Sequence, residues 1–319
     1  MIIAVSRGVA ERYGERIHAL DRRIALVWPE GGRWRGDVQA VEAVYFSEDF
    51  WTSGESRTIL PQLFTLPSLR WFHSFSAGVE HPAFKALVER GVLLTNSSGS
   101  TSEPIAQYVI AMMLRVAKGM DEWSQAQRER RWQSIESGEL TGKTAGIVGV
   151  GHIGGEVARL AKAFRMRVVG CRRRQRPVRN VDALVPPERL RELLAQAHFV
   201  VLALPLTSQT EGLIGEAELR AMRQDAWLIN IARGQVVDEP ALVRALRDGS
   251  IGGACLDVFQ EEPLPEGSEL WSLPNVIVTP HNSGRSPLNQ ERGTEIFLDN
   301  LGRYVAGKSL RNRVRASDL

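Results

Sequence analysis

Gly146-Ile-Val-Gly-Val-Gly-His-Ile-Gly-Gly155 lies between Lys143-Thr-Ala145 and Glu156-Val-Ala-Arg-Leu-Ala-Lys-Ala-Phe164. An apolar run, glycines spaced Gly149-x-Gly151-x-x-Gly154 and an amphipathic pattern follow one another as a strand, a tight turn and a helix would. Gly149 permits the turn, Gly151 lets the backbone approach a pyrophosphate, and Gly154 allows close packing of helix on strand. The helix start at His152 and Ile153 offers unpaired N–H groups at the positive end of a dipole. Alone the spacing is weak. Inside a strand-turn-helix unit it predicts a dinucleotide site rather than a merely tight turn.

One strand later the kind of dinucleotide is at issue. The run Arg167-Val-Val-Gly-Cys171 would end in Asp or Glu if the cofactor were NAD, because a carboxylate there accepts the ribose 2′-OH. This chain continues Arg172-Arg173-Arg174. A guanidinium fork suits a 2′-phosphate and an acid would repel one, so NADP(H) is expected as the preferred cofactor, with NAD(H) open. Arg172 is the first candidate contact and Arg173 or Arg174 the second. The competing reading is a solvated basic loop.

From Thr144 onward, short Val/Ile/Leu-rich runs (TAGIVGV, RVVGC, FVVLALP, AWLINIA, GACLDV, VIVTPH) alternate with helical segments (PPERLRELLAQA, GEAELRAMR, DEPALVRALRDG). Near-continuous apolar runs suit strands buried on both faces, and a Rossmann-type doubly wound parallel sheet follows. Arg172, Pro205, Arg233, Asp257 and His281 all fall at or just past strand C-termini, where open α/β sheets hold their ligands. The first hundred residues show the same rhythm on a smaller scale (MIIAVS, IALVW, AVYFSE, LRWFHSF, VLLTN), an α/β unit of their own. SEPIAQYVIAMMLRVAKG reads as a long helix leaving that unit, with Ser102 as N-cap and Pro104 in the first turn. The expected division is a discontinuous substrate-binding domain, 1–101 with 285–319, around a dinucleotide-binding domain, 102–284.

Bulk properties remove several classes. With 319 residues, 43% hydrophobic and 24% charged, the chain suits two domains with cores of their own. No apolar run approaches the roughly 18 residues of a membrane span. The opening Met1-Ile-Ile-Ala-Val-Ser6 has no basic residue before its apolar run, so it reads as a first strand rather than a secretory signal, and a cytoplasmic protein is expected. Cys171 and Cys255 each sit in a strand-like run, which argues against disulfides and a zinc cluster; no metal is expected. A net charge of +3 with basic residues spread along the chain makes neither nucleic acid nor membrane an expected partner.

Three more stretches follow in order: Asn230-Ile-Ala-Arg-Gly234, GACLDVFQEEP (253–263) and Val278-Thr-Pro-His-Asn-Ser-Gly284, preceded by TNSSG (95–99) and LALPLTSQT (202–210). Together with the glycine turn, this ordered set resembles the D-isomer-specific 2-hydroxyacid dehydrogenase family, of the glyoxylate/hydroxypyruvate reductase kind, and the likeness runs from SFSAGVEHP (74–82) to the end. The resemblance implies a flavodoxin-like substrate domain and hydride transfer between a nicotinamide cofactor and C2 of a small 2-keto or D-2-hydroxy acid. It makes Arg233 the carboxylate-binding arginine, Glu262 the acid partner and His281 the proton donor and acceptor. It also implies that the backbone of Ser76-Ala77-Gly78-Val79 binds the substrate carboxylate. Thr101 or Ser102, Pro205, Thr207, Thr210, Ala232 and Asp257 become cofactor neighbours. The chemistry agrees: a bidentate guanidinium can hold and polarise a 2-keto acid, and an imidazole tied to a carboxylate is a competent acid near neutral pH.

Departures sharpen the reading. Where many members read VAEH, this chain has Ile105-Ala-Gln-Tyr108, and His281 is followed by Asn282-Ser283-Gly284-Arg285. Arg285 is either a second anion contact or a solvated side chain. Glu262 argues against a formate dehydrogenase type, which is expected to pair its histidine with glutamine. A phosphonate-type dehydrogenase and a cofactor-sensing corepressor-like protein stay open. No regulatory domain of the phosphoglycerate dehydrogenase type is expected after residue 319. The charged segment DEWSQAQRERRWQ (121–133) carries Trp123 and Trp132, and by resemblance it embraces a second subunit, a homodimer.

Overall fold

The fold comes from a computed structural model that describes residues 1–52, 56–78 and 81–316. The chain divides into two compact units, Met1–Ser100 with Ser286–Leu319, and Thr101–Arg285.

The first unit opens with β1 (Ile2–Ala4), α1 (Arg7–Leu20), β2 (Ala25–Glu30), β3 (Arg33–Arg35), β4 (Ala43–Phe46), α2 (Glu48–Thr52), α3 (Ser56–Thr65), β5 (Trp71–Ser74), α4 (Pro82–Glu89) and β6 (Leu93–Asn96). The second contains α5 (Ser102–Lys118), α6 (Met120–Arg128), β7 (Thr144–Val148), α7 (His152–Ala163), β8 (Arg167–Cys171), β9 (Ala183–Val185), α8 (Leu190–Leu194), β10 (Phe199–Leu202), α9 (Glu216–Ala221), β11 (Trp227–Asn230), α10 (Glu239–Arg247), β12 (Gly253–Leu256) and β13 (Val276–Val278). The chain then returns to the first unit with α11 (Asn289–Val305) and β14 (Arg313–Val314).

The second unit's sheet runs β13-β12-β11-β10-β7-β8-β9, all parallel. Counted from β7, this is the Rossmann order with one strand added beyond β12. Apolar clusters cover both faces, which is why β7, β10 and β12 are buried along their whole length. The first unit's sheet runs β14-β6-β5-β4-β1-β2-β3. Its parallel centre has the flavodoxin order, and β3 and β14 are antiparallel edge strands. The α/β class expected from the alternation is therefore what the chain adopts.

Local details differ from the sequence reading. Thr101, not Ser102, is the N-cap of α5, and Ser102 is its first helical residue. PPERLRELLAQA yields a 3₁₀ turn at Pro187–Arg189 and only five α-helical residues. The hairpin β2–β3 was not anticipated, although Gly31-Gly32, at φ 60° and 76°, has the positive angles that a two-residue hairpin turn demands. Among the described residues no helix is long and apolar enough to cross a membrane, and no cluster of His, Cys, Asp or Glu could hold a metal ion.

Candidate active site

The register of the second sheet sets the site. Cys171, Val148, Leu202, Asn230, Leu256 and Val278 pair in one continuous row across β8, β7, β10, β11, β12 and β13. Each is the last residue of its strand, so the loops beyond them leave one edge side by side, about 4.8 Å apart per strand. Arg172, Gly149, Pro205, Arg233, Asp257 and His281 all lie one to three residues past that row.

At the β7 loop, Gly149 has φ 96° and donates its N–H to Cys171 O at 3.0 Å. A Cβ there would come under 3.0 Å from the Ala203 carbonyl, and one at Gly154 would come under 3.0 Å from Gly149 O. Gly151 is different: a Cβ built on it meets nothing within 4 Å. Two glycines are required by packing and the third borders open space. Beside that space α7 begins with no side-chain cap, so the first amides, at His152, Ile153 and Gly154, lack a side-chain acceptor. This is a cradle that fits a pyrophosphate.

Arg172 N–H donates to Val185 O at 3.2 Å, which fixes the start of the arginine loop against β9, and the Gln175 amide bonds to Arg172 O. Arg173 Nη1 reaches Gln209 Oε1 at 3.4 Å, joining this loop to the one after β10. Arg173 and Arg174 are exposed and Arg172 is half-buried. The β10 loop is tied to itself: Thr210 Oγ1 donates to Pro205 O at 2.8 Å and accepts from Thr207 N–H at 2.8 Å. Thr210, expected at the cofactor, thus has its hydroxyl in service of the loop's own shape.

The β11 and β12 loops are joined by backbone. A Cβ at Gly234 would fall under 3.0 Å from the Phe259 carbonyl and the Gln260 nitrogen, so the arginine-bearing loop lies directly on the DVFQEE loop. Gln235 Nε2 donates to Gln260 O and Gln260 Nε2 to Val237 O, both at 3.0 Å. Asn230 shapes the approach by accepting from Ala232 N–H and donating to Arg233 O, each at 3.0 Å. Arg233 Nη1 in turn donates to Ala232 O at 2.7 Å.

His281 Nδ1 lies 2.7 Å from Glu262 Oε2, and Glu262 Oε1 accepts the Phe259 N–H at 3.0 Å. A carboxylate can only accept, so Nδ1 carries the proton and Nε2 is the nitrogen left to face a substrate. Both side chains are partly open to solvent. The pair can hold a proton at Nε2 in one direction and take one there in the other.

A family model for the D-isomer specific 2-hydroxyacid dehydrogenase NAD-binding domain matches residues 110–283. The glyoxylate reductase of Korarchaeum cryptofilum is 36% identical over 248 residues, 76% of this chain and 75% of that protein. The glyoxylate reductase of Pyrococcus horikoshii is 36% identical over 253 residues, again 76% of this chain and 75% of its own length. Among solved structures, the D-isomer specific 2-hydroxyacid dehydrogenase from Xanthobacter autotrophicus Py2, in complex with NADPH and MES, is similar with a TM-score of 0.78 at 29% identity, covering 99% of this chain and 98% of that one. The chain belongs to the D-isomer specific 2-hydroxyacid dehydrogenases. It is an NAD(P)-dependent oxidoreductase, and the glycine cradle lies within the matched NAD-binding domain.

In this dehydrogenase, Asp257, expected beside the cofactor, is also tied into its own chain. It is 1% exposed, and its carboxylate finds partners in the chain itself. Oδ1 accepts from Thr279 Oγ1 at 2.6 Å and from Asn282 N–H at 3.1 Å, and Oδ2 accepts from Ser283 N–H at 3.0 Å. In the first unit the Ser76–Gly78 turn is held by serines: Ser76 N–H donates to Ser74 Oγ at 3.2 Å, and Gly78 N–H to Ser76 Oγ at 3.1 Å. Gly78's amide is therefore engaged within the turn, while Ala77 is exposed and its carbonyl accepts from Asn96 Nδ2 at 2.8 Å. Val79 lies outside the described residues. Sequence reasoning missed the shaping roles of Asn230, Gly234 and Gln260, of which only Gly234 had a visible signal, its place directly after Arg233.

Proposed function

We propose that this dehydrogenase reduces a small 2-keto acid such as glyoxylate or hydroxypyruvate to the D-2-hydroxy acid, using NADP(H) in preference to NAD(H). The observation that carries the chemistry is the 2.7 Å contact between His281 and Glu262 beside the Arg233 loop. Arg233 takes the substrate carboxylate and polarises the adjacent carbonyl. The bound nicotinamide supplies or accepts the hydride at C4. In reduction His281 gives the Nε2 proton to the carbonyl oxygen as C2 gains the hydride; in oxidation neutral Nε2 takes the hydroxyl proton. Glu262 keeps the ring in one tautomer through both steps.

The cofactor preference rests on three successive arginines, with no carboxylate among them, one residue beyond the row that ends at Cys171. That the Xanthobacter relative was crystallised with NADPH supports the same choice. Turnover measured by absorbance of the reduced nicotinamide, with both cofactors and a panel from glyoxylate and hydroxypyruvate to phenylpyruvate, tests both halves. Arg172→Asp should weaken NADPH far more than NADH, since a phosphate contact becomes a repulsion; equal losses would remove the phosphate role. We also infer a homodimer. Trp132, at 104% relative exposure, and Trp123, at 40%, stand on the segment around α6 and present apolar surface that a lone chain does not need. Sedimentation that finds only monomer at micromolar concentration would overturn it.

A further inference from the structure

The structure assigns a positioning role to Tyr108, Thr279 and Asp257: a one-way chain of hydrogen bonds that holds the His281 loop in its working shape. Tyr108 is on α5, in the Ile105-Ala-Gln-Tyr108 stretch that departs from the pattern of many family members. Its hydroxyl lies 2.8 Å from Thr279 Oγ1, and Thr279 Oγ1 donates to Asp257 Oδ1 at 2.6 Å. A hydroxyl has one proton. With that proton on Asp257, Thr279 must accept from Tyr108, so the chain runs from phenol to carboxylate. Burial pushes the Tyr108 phenol above its ordinary range, which keeps it a donor through the neutral range.

Asp257 then grips the loop from two sides. Its backbone carbonyl accepts His281 N–H at 2.8 Å, and its carboxylate accepts the N–H groups of the next two residues, Asn282 and Ser283. His281 N–H also points at Thr279 O, 3.1 Å away. This grip matters because His281 sits at φ 47°, in the left-handed region that a residue with a Cβ seldom adopts without support. With a restraint lost, the backbone can relax to an ordinary conformation, and the ring would turn away from Glu262. Tyr108 is remote in sequence from the reacting groups and acts on them only through Thr279.

The inference rests on the proposed proton role of His281, so the test has a readout that does not depend on turnover. Tyr108→Phe, Thr279→Val, Thr279→Ser and the Tyr108→Phe/Thr279→Val double variant are compared for kcat, KM and cofactor Kd. Amide hydrogen exchange over 279–283 is measured on the full-length protein without substrate. Tyr108→Phe should lower kcat and speed exchange of that segment, each by roughly threefold to tenfold, the factor for one lost hydrogen bond. Cofactor Kd should stay within about twofold. Thr279→Val should cost at least as much, Thr279→Ser should restore most of the loss, and the double variant should be no worse than Thr279→Val. Unchanged exchange in Tyr108→Phe, or a double variant whose loss is the product of the two single losses, would overturn the chain. If His281→Ala keeps turnover, the proton role fails on its own, while faster exchange in Tyr108→Phe still upholds the chain.

Discussion

Gly151→Ala separates the space a cofactor uses from the space the fold uses. Its backbone lies at φ −98° and ψ −148°, and a Cβ there meets nothing within 4 Å, so the folded protein loses no contact. Alanine also restricts the unfolded chain, worth about 0.4–1 kcal/mol in favour of folding, while an alanine N-cap gives back an amount of the same order. The melting temperature should therefore move by no more than a few degrees, a shift of about 1 kcal/mol at most. Binding is another matter. The methyl group would occupy the approach to the first amides of α7, keeping a pyrophosphate oxygen from at least one charge-assisted hydrogen bond, worth about 1.5–3 kcal/mol. That predicts a cofactor Kd raised roughly 10- to 150-fold. Fluorescence or calorimetric titration of NADPH, paired with a thermal melt, reads both numbers. Gly154→Ala is the control, since its Cβ would press on Gly149 O and should lower stability and affinity together. A Gly151→Ala variant that binds NADPH within twofold of the parent, by about 0.4 kcal/mol or less, would refute the cradle.

Gly234→Ala should drive the Arg233 loop about 1 Å off the Phe259–Gln260 backbone and lower kcat/KM on the order of 100-fold, with cofactor Kd little changed; wild-type kinetics would show that the two loops need no fixed separation. His73 supplies the pH dependence. It is fully buried, its Nδ1 2.7 Å from Thr95 Oγ1 and its Nε2 3.1 Å from Ser97 Oγ, and burial lowers its pKa to about 3. Below the ordinary value of 6.5 the unfolded chain binds a proton that the folded one refuses, so this residue costs stability as pH falls from 6.5 toward 3, and nothing above 6.5. Between pH 7 and pH 5 the cost is about 2 kcal/mol, and denaturant titrations should show His73→Gln, weaker at pH 7, losing that much less over the interval. Parallel losses in the two proteins would remove His73 as the cause.

What could be read from residues alone divides along a physical line. The glycine turn, the arginines after Cys171, and the positions of Arg233, Asp257 and His281 were legible because each depends on where a strand ends, and a run of Val, Ile and Leu announces that locally. The closeness of His281 and Glu262 was anticipated through a family pattern, not through spacing, since they stand 19 positions apart with a strand between them. Asp257 was read as a cofactor neighbour at a strand end, and its donors within the chain come from Thr279, Asn282 and Ser283, 22 to 26 residues on. Nothing in a linear pattern distinguishes those from a ligand's amide. Tyr108 read only as a departure from the family pattern because its partner lies 171 residues away. The hairpin at Gly31-Gly32 is the opposite case, a local signal that was present and passed over.

The row of strand ends also explains how one sheet serves two tasks that need different tolerances. Arg172 follows the strand β8, while Arg233 and His281 follow β11 and β13, so the arginine loop proposed to take the phosphate and the proposed chemical groups are separated by three to five strand spacings, roughly 14–24 Å. Beyond the backbone bond from Arg172 to Val185, the attachments at the arginine end are loose: Arg173 and Arg174 are exposed, one long bond reaches Gln209, and charge acts over a distance. At the other end, position is fixed by backbone laid on backbone at Gly234 and by Asp257, whose backbone carbonyl and buried carboxylate together grip three consecutive residues. Charge recognition of a phosphate survives a shift of an ångström, whereas proton and hydride transfer do not. Variation at the arginine loop should therefore alter which cofactor is chosen while leaving kcat at saturating cofactor nearly unchanged, and variation at Gly234 or Asp257 should do the reverse.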